Sequence, residues 1–188
     1  VGLNVYFWSY ARLDESALPA ITIADQCFQV AAVLATGTSS AVSVLIGTEL
    51  GANRLQKAKE NCKKLFSLVL AVASVCTVLC VLLGLLMPYA FTVTRELRLL
   101  ATWLTWITAL FAPLNFVYAF CFYCLRAGGD TRSAMLLDSG YMWVIPVPIS
   151  IFMALLLPGR ISITAAMLIV QFLMNAKVIL ALRVLRRG

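Results

Sequence analysis

The chain consists of long apolar runs separated by short polar loops. A short apolar stub at residues 1–11 precedes five runs of spanning length, at residues 19–47, 65–87, 99–125, 134–157 and 161–182. About 20 apolar residues in a helix cross the hydrocarbon core of a bilayer, so these runs predict transmembrane helices. A membrane β-barrel needs segments of about ten residues that alternate apolar and polar positions, and the sequence lacks this pattern. We therefore expect an all-α, polytopic membrane helix bundle.

The composition supports a membrane protein. Hydrophobic residues make up 62% of the chain, charged residues 12%, and the mean hydropathy is +0.95, whereas soluble domains are about 45–50% apolar. Of six cysteines, only Cys62 lies outside the runs, and the chain has no histidine. We therefore predict neither a metal site nor a disulfide framework. The chain begins inside an apolar run without an initiator methionine, so we expect a fragment of a longer protein.

The basic residues predict the orientation. The net charge is +7, but the cations lie at the ends of apolar runs rather than in aromatic-rich patches, which argues against nucleic-acid binding. Alternate loops carry ten and four Lys and Arg residues, the larger set lying at residues 48–64, 126–132 and 183–187. By the positive-inside rule that set is cytoplasmic. We therefore expect a multi-pass protein of the bacterial cytoplasmic membrane with a cytoplasmic C-terminus.

Polar residues recur at helical spacing inside three of the five spans, which places them on single helix faces. Such faces either line an aqueous cavity or hydrogen-bond neighbouring helices. For Ser and Thr we favour interhelical bonding, and for the large amides a cavity. The candidate substrate-cavity residues are Gln29, Thr36, Ser40, Asn115, Tyr118, Gln171 and Asn175. Trp103, Trp106 and Phe111 add candidate cation–π surface for a cationic substrate.

Three charges lie within the apolar runs. Asp25 and Lys177 lie near opposite ends of their spans, and we expect both to snorkel to the interface. Asp138 lies about one turn inside its span, where we expect Arg126 or Arg132 to neutralise it. Direct proton handling by Asp138 is the alternative.

Prolines and a basic segment predict local irregularities. Pro113 is expected to kink the third full span, because it removes a backbone hydrogen bond. Pro146 and Pro148 predict a bent helix, of the kind that transporters use where rigid elements move. Residues 53–64 predict a basic helix start that contacts anionic lipid headgroups.

Two strings resemble motifs of the multidrug and toxic compound extrusion (MATE) family. The first, SSAVSVLIGTELGANRLQKAKE, resembles a helix that ends in a cytoplasmic turn, here with Gly47 and Gly51. The second, LRAGGDTRSAMLLDSGYMWVIPVPI, resembles the family's L-R-x-G-G-D-T-R turn. Its matching residues are Arg126, Gly128, Gly129, Asp130 and Arg132, followed by Asp138, Trp143 and Pro146.

The resemblance implies a twelve-helix transporter with two six-helix lobes, of which residues 1–188 would form the C-terminal one. It implies a secondary antiporter that exports cationic or amphipathic drugs or metabolites by alternating access, in exchange for Na+ or H+. We expect no other cofactor. The implied partners are the N-terminal lobe, a small-molecule substrate and membrane lipid. Some members use an acidic residue of helix ten for coupling. The matching region here has Asn115 and no carboxylate, which argues against ion binding by this lobe.

Three alternatives remain open at this stage. An exporter of lipid-linked sugars with the same fold needs a cationic cavity, and Lys177 is the only charge within the last span. A membrane enzyme needs grouped carboxylates, a metal or a nucleophile beside a base, whereas Asp25 and Asp138 are expected near opposite membrane faces. We therefore do not expect an enzyme. A membrane assembly subunit without transport activity is the third alternative.

Overall fold

The computed structural model describes residues 2–91, 94–156 and 162–187, and these residues form helices joined by short turns, without a strand. In chain order the elements are α1 (Gly2–Leu13), a 3₁₀ turn (Glu15–Ala17), α2 (Leu18–Gly51), α3 (Leu55–Ala90), α4 (Arg95–Ala127), α5 (Thr131–Met135), a π-helical turn (Leu136–Gly140), α6 (Tyr141–Val144), α7 (Pro146–Leu156) and α8 (Ile163–Arg187).

Five of the described segments are long and apolar enough to cross a membrane: Glu15–Gly51, Leu55–Leu86, Arg95–Ala127, Thr131–Leu156 and Ile163–Val184. The predicted all-α membrane bundle is thus confirmed. The predicted ends of two spans, at residues 157 and 161, lie outside the described residues. The predicted basic helix start is also confirmed, because α3 begins at Leu55 and continues from this basic segment into its span.

Helix α4 forms the centre of the bundle and packs against α2, α3 and α8. Its side chains Leu104, Phe116 and Phe120 are fully buried. Large apolar side chains on the outside of the bundle, such as Val75 and Leu110, are well exposed. An outer surface this apolar is suited to lipid and not to water.

The fourth span is interrupted twice. Its first part is α5, which passes directly into the π-helical turn Leu136–Gly140. A second interruption lies at Ile145, whose φ and ψ of −116° and −68° separate α6 from α7. The second break falls immediately before Pro146, where the prolines predicted a bend, whereas the sequence did not predict the π turn. Helix α4, in contrast, continues through Pro113 without interruption.

The turn between α4 and α5 uses one of its two glycines for backbone freedom. Gly129 has a φ of 86°, in the left-handed region, whereas Gly128 has a φ of −75° that any residue adopts. The backbone nitrogen of Asp130 donates to Leu125, and its side chain accepts a bond from the Ser133 nitrogen, which caps α5. Of the two adjacent glycines, Gly129 therefore uses the backbone freedom of glycine and Gly128 does not.

The turn between α2 and α3 is built without a glycine in the left-handed region. Gly51 is the last residue of α2, and Gly47 lies one turn earlier within the same helix. The positive φ, 56°, belongs to Asn53, and asparagine is one of the few other residues that tolerate this conformation.

Candidate functional site

A cavity of about 170 Å³ lies between α1, α2, α4 and α8. Its wall is part aromatic, part aliphatic or thioether, and part polar. The lining residues are Tyr6, Phe7, Tyr10, Ile21, Asp25, Phe28, Thr108, Asn115, Met167, Val170, Gln171 and Met174. We call this space the central cavity. Because α2, α4 and α8 each belong to a candidate span, it is a partly polar site within the apolar bundle.

Asp25 supplies the carboxylate of the central cavity. Its Oδ2 accepts a hydrogen bond of 2.8 Å from Nε2 of Gln29, one turn later on α2. This i, i+4 contact holds the carboxylate in place from its own helix. The Asp25 side chain is half-buried, so the charged group lies at the wall of the cavity.

Neutral oxygen groups complete the polar part of the wall. Asn115 uses its Nδ2 to donate to the Phe111 carbonyl at 3.2 Å, which leaves the amide oxygen as its remaining acceptor. Thr108 donates its hydroxyl to the carbonyls of Leu104 and Thr105. A carboxylate with nearby amide, hydroxyl and phenol oxygens can hold a proton or a small cation.

The structure brings two of the predicted cavity residues together at this site, namely Asn115 and Gln171. Thr36 and Ser40 are exposed on α2, and Gln29 supports Asp25 from outside the wall. Tyr118 and Asn175 are buried but do not line the cavity. The substrate role of these residues remains a prediction.

The aromatic residues proposed for cation–π contact lie elsewhere. Trp103 and Trp106 are exposed on α4 and pack edge to face, with ring centroids 5.5 Å apart. Phe111 borders a separate apolar groove beside α8. The aromatic wall of the central cavity comes instead from α1 and α2, through Tyr6, Tyr10 and their neighbours.

Sequence reasoning missed Asp25 as a site residue. We expected Asp25 to snorkel, and we expected no carboxylate near Asn115, because only α4 was considered. The carboxylate reaches the cavity from α2. The available signal was the spacing of Asp25 and Gln29. They are four residues apart, and this spacing places both side chains on one helix face.

Asp138 and Lys177 form a second polar centre, and here the predicted partner is wrong. Lys177 Nζ lies 3.2 Å from Asp138 Oδ1, so the cation that neutralises Asp138 comes from α8 rather than from Arg126 or Arg132. Lys177 is only 7% exposed, which also overturns the expectation that it snorkels. Tyr118 donates its hydroxyl to the same Asp138 oxygen at 2.9 Å.

The profile of the MatE family matches residues 3–152, from α1 into α7. The chain belongs to the MatE family. Both turns that carried the sequence resemblance lie within the match. Proteins of this family are membrane transporters, so the family suggests a membrane efflux transporter. No curated protein matches the chain closely enough to serve as a relative.

One exposed face of α2 in this MatE protein carries several polar side chains among apolar ones such as Val33, and it has little cover from the chain itself. Gln26, Gln29, Thr36 and Ser40 are all exposed. Thr36 satisfies its hydroxyl by donating to the Val33 carbonyl of the same helix at 2.9 Å. We call this surface the α2 polar face. Amide groups of this kind are poorly solvated by lipid chains, so the face needs water or another protein surface.

Proposed function

We propose that residues 1–188 form the C-terminal lobe of a MatE antiporter. The complete transporter exports cationic or amphipathic compounds by alternating access, in exchange for Na+ or H+. The N-terminal lobe is its partner in the same polypeptide. The observation that carries the proposal is the Asp25 carboxylate in the wall of a polar cavity inside a membrane bundle. Ionisable groups at such positions are costly in a membrane and mark ion or substrate pathways.

The size of the central cavity favours the coupling ion as its occupant. Pockets for drug-sized molecules measure about 300–1,000 Å³, and the central cavity measures about 170 Å³. The space suits a cation with its oxygen ligands, or a proton on Asp25, better than a whole drug. In this assignment, Asn115 and Gln171 supply neutral oxygens beside the carboxylate.

The charge of the cavity favours a cation over an anion. Among the described residues that line it, Asp25 is the single charged one. The buried Lys177 is already neutralised by Asp138. Lipid-linked sugars carry anionic phosphate groups, so a protein that exports them needs cations in this position. The arrangement therefore favours export of cationic or neutral compounds.

The substrate then passes along the α2 polar face, between the two lobes. This surface is exposed in the chain and carries amides and hydroxyls suited to a hydrated path. Asp25 and Gln29 are hydrogen-bonded on the same helix, so binding of the ion at Asp25 is one turn from the substrate path. Ion binding at Asp25 and substrate passage along the α2 polar face can therefore compete or couple without a long-range pathway.

Asp25→Asn in the full-length transporter tests this function. We expect the variant to lose the dependence of efflux on the Na+ or proton gradient, because the amide cannot change charge. The rate of dye efflux should fall about tenfold, since typical coupling free energies correspond to changes of about 5–150-fold. Asn115→Leu and Gln171→Leu should lower the rate less, because each removes one neutral oxygen. The measurement is dye efflux from energised vesicles at equal protein level.

The matched control is Thr22→Val, on α2 one turn before Asp25. The Thr22 side chain is exposed and donates to the Leu18 carbonyl of its own helix, so its removal should leave efflux unchanged. Gradient-dependent efflux that persists in Asp25→Asn at the wild-type rate would rule out the assignment of Asp25. Loss of efflux in Thr22→Val as well would show that any change in this part of α2 impairs transport.

A further inference from the structure

Three side chains from three different spans, Tyr118, Asp138 and Lys177, form a cluster. Tyr118 of α4 donates to Oδ1 of Asp138 at 2.9 Å, and Lys177 of α8 lies 3.2 Å from the same oxygen. The Lys177 ammonium also lies 3.8 Å from the centroid of the Tyr118 ring, which adds a cation–π contact. Asp138 itself belongs to the π-helical turn. This cluster is separate from the central cavity.

The pair is a defined electrostatic unit rather than a surface salt bridge. Tyr118 and Lys177 are almost fully buried, at 9% and 7% exposure, whereas the Asp138 side chain is 49% exposed. A buried ammonium requires a partner. Among the described residues, Asp138 is the carboxylate within salt-bridge distance of Lys177. Loss of Asp138 therefore leaves the Lys177 ammonium without compensation inside the bundle.

The pair holds an unusual piece of backbone. A π turn is rare and is frequently found at functional sites. Two contacts to α8 are made by this turn and by the residue that follows it. Asp138, within it, binds Lys177, and Tyr141, immediately after it, donates to the Leu173 carbonyl at 2.8 Å.

The same stretch of α8 forms part of the cavity wall. Gln171 and Met174 line the central cavity, six and three residues before Lys177. At 1.5 Å per residue these positions lie roughly 9 Å and 4.5 Å along the helix axis from the ion pair. A shift or rotation of α8 at Lys177 is therefore transmitted directly to the wall of the cavity.

We propose that Asp138, Lys177 and Tyr118 form an intramembrane latch that holds the π turn against α8 and so positions Gln171 and Met174 in the wall of the central cavity. Lys177 and Asp138 are positioning residues, because neither lines the cavity. The effect on transport rests on the function proposed above. The effect on the π turn depends only on the contacts of the latch.

The test uses the full-length transporter with Lys177→Met, Asp138→Asn and the double variant. Asp138→Asn leaves the buried Lys177 ammonium unpaired and is prone to misfolding, whereas Lys177→Met leaves the half-exposed Asp138 carboxylate unpaired. The double variant removes both charges, so it should fold while lacking the latch. We expect backbone amides of residues 136–145 to exchange hydrogen about tenfold faster in the double variant, which corresponds to about 1.4 kcal/mol of lost protection. The concentration of Na+ or H+ that half-saturates efflux should rise several-fold, because Gln171 lies in the wall of the proposed ion site.

Two controls complete the design. Lys177→Arg keeps the cation and should retain most of the protection and the wild-type ion dependence of efflux. Lys57→Met removes an exposed lysine of α3 and should change neither. Wild-type exchange of residues 136–145 in the double variant would overturn the latch. Faster exchange with an unchanged ion dependence would overturn the positioning of Gln171 and Met174 by the latch. The exchange measurement needs no transport. Undiminished coupling in Asp25→Asn would refute the proposed function, while the exchange rates of residues 136–145 would still test the latch.

Discussion

At the residue scale, two residues of the L-R-x-G-G-D-T-R motif determine the backbone geometry of the turn between α4 and α5. Gly129 alone requires a positive φ, and Asp130 caps the following helix. Hydrogen bonds from the side chain and backbone of Ser133 lower the pKa of Asp130. Because the folded pKa lies below the unfolded one, the cap contributes fully above the ordinary pKa of aspartate and is lost only as the pH falls through the lowered value.

Replacement of Gly129 tests the residue-scale account. Gly129→Ala should destabilise the protein by about 1 kcal/mol, because an L-residue is strained in the left-handed region. Gly128→Ala is the matched control, since its φ is −75° and an added Cβ would lie 3.5 Å from the Cys124 carbonyl oxygen, an ordinary contact. Thermal unfolding in detergent measures both. Equal unfolding temperatures for the two variants would contradict the assignment.

At the element scale, α3 and α4 approach each other closely at one glycine. A Cβ at Gly84 would lie 3.0 Å from Thr105 Cγ2 and 3.3 Å from Trp106 Cδ1. Thr105 is fully buried and donates its hydroxyl to the Ala101 carbonyl at 2.8 Å, so it has little room to move. Small residues allow this approach of two membrane helices, and Gly84 fulfils that role here.

Overpacking of this contact should separate the two helices. Gly84→Leu is expected to destabilise the bundle by about 1–3 kcal/mol, the usual range for side chains forced into a packed interior. Gly37→Leu on α2 serves as the control, because nothing lies within 4 Å of a Cβ at that position. The unfolding temperature of each purified protein provides the comparison. An unaffected Gly84→Leu variant would show that α3 is not held at this distance.

The elements divide clearly into those that the sequence predicts and those that it does not. Hydropathy predicted all five spans, because each apolar run is long enough to cross a bilayer on its own. It did not predict the π turn at residues 136–140, since i to i+5 bonding leaves no distinct pattern of apolar positions. Pro146 predicted the interruption next to it, because the missing N–H has a local consequence.

The site was predictable only where the signal lies within one helix. Asn115 and Gln171 followed from their spacing along single spans, and both line the central cavity. The partner of Asp138 depends on how α8 is rotated relative to the fourth span, which no local pattern fixes. Arg126 and Arg132 are nearer along the chain, yet Lys177 makes the contact.

At the scale of the whole molecule, the ends of the bundle differ in charge. The segment that begins α3 carries five of the basic residues between positions 54 and 64. The positive-inside rule predicts that this end, with the Gly129 turn, faces the cytoplasm. The opposite end carries the start of α4, which begins at Arg95 and has Glu96 in its first turn.

Cysteine labelling tests the orientation in intact cells. Lys57→Cys and Glu96→Cys place thiols at exposed positions on opposite ends of the bundle. We expect a membrane-impermeant maleimide to modify Glu96→Cys in intact cells, and Lys57→Cys only after permeabilisation. Mass spectrometry of the modified peptides separates these sites from the native cysteines. The reverse pattern would invert the topology and place the Gly129 turn outside.

The salt bridge between Asp138 and Lys177 also bears on how the chain enters the membrane. During synthesis the aspartate emerges first, and the lysine follows on the next span, just past the middle of α8. A lysine at the centre of an isolated helix opposes insertion by about 2.5–3.5 kcal/mol. Because the preceding helix already carries a carboxylate, these two spans are suited to leave the translocon as a pair. Each supplies the charge that neutralises the other and so lowers the cost of insertion into the bilayer.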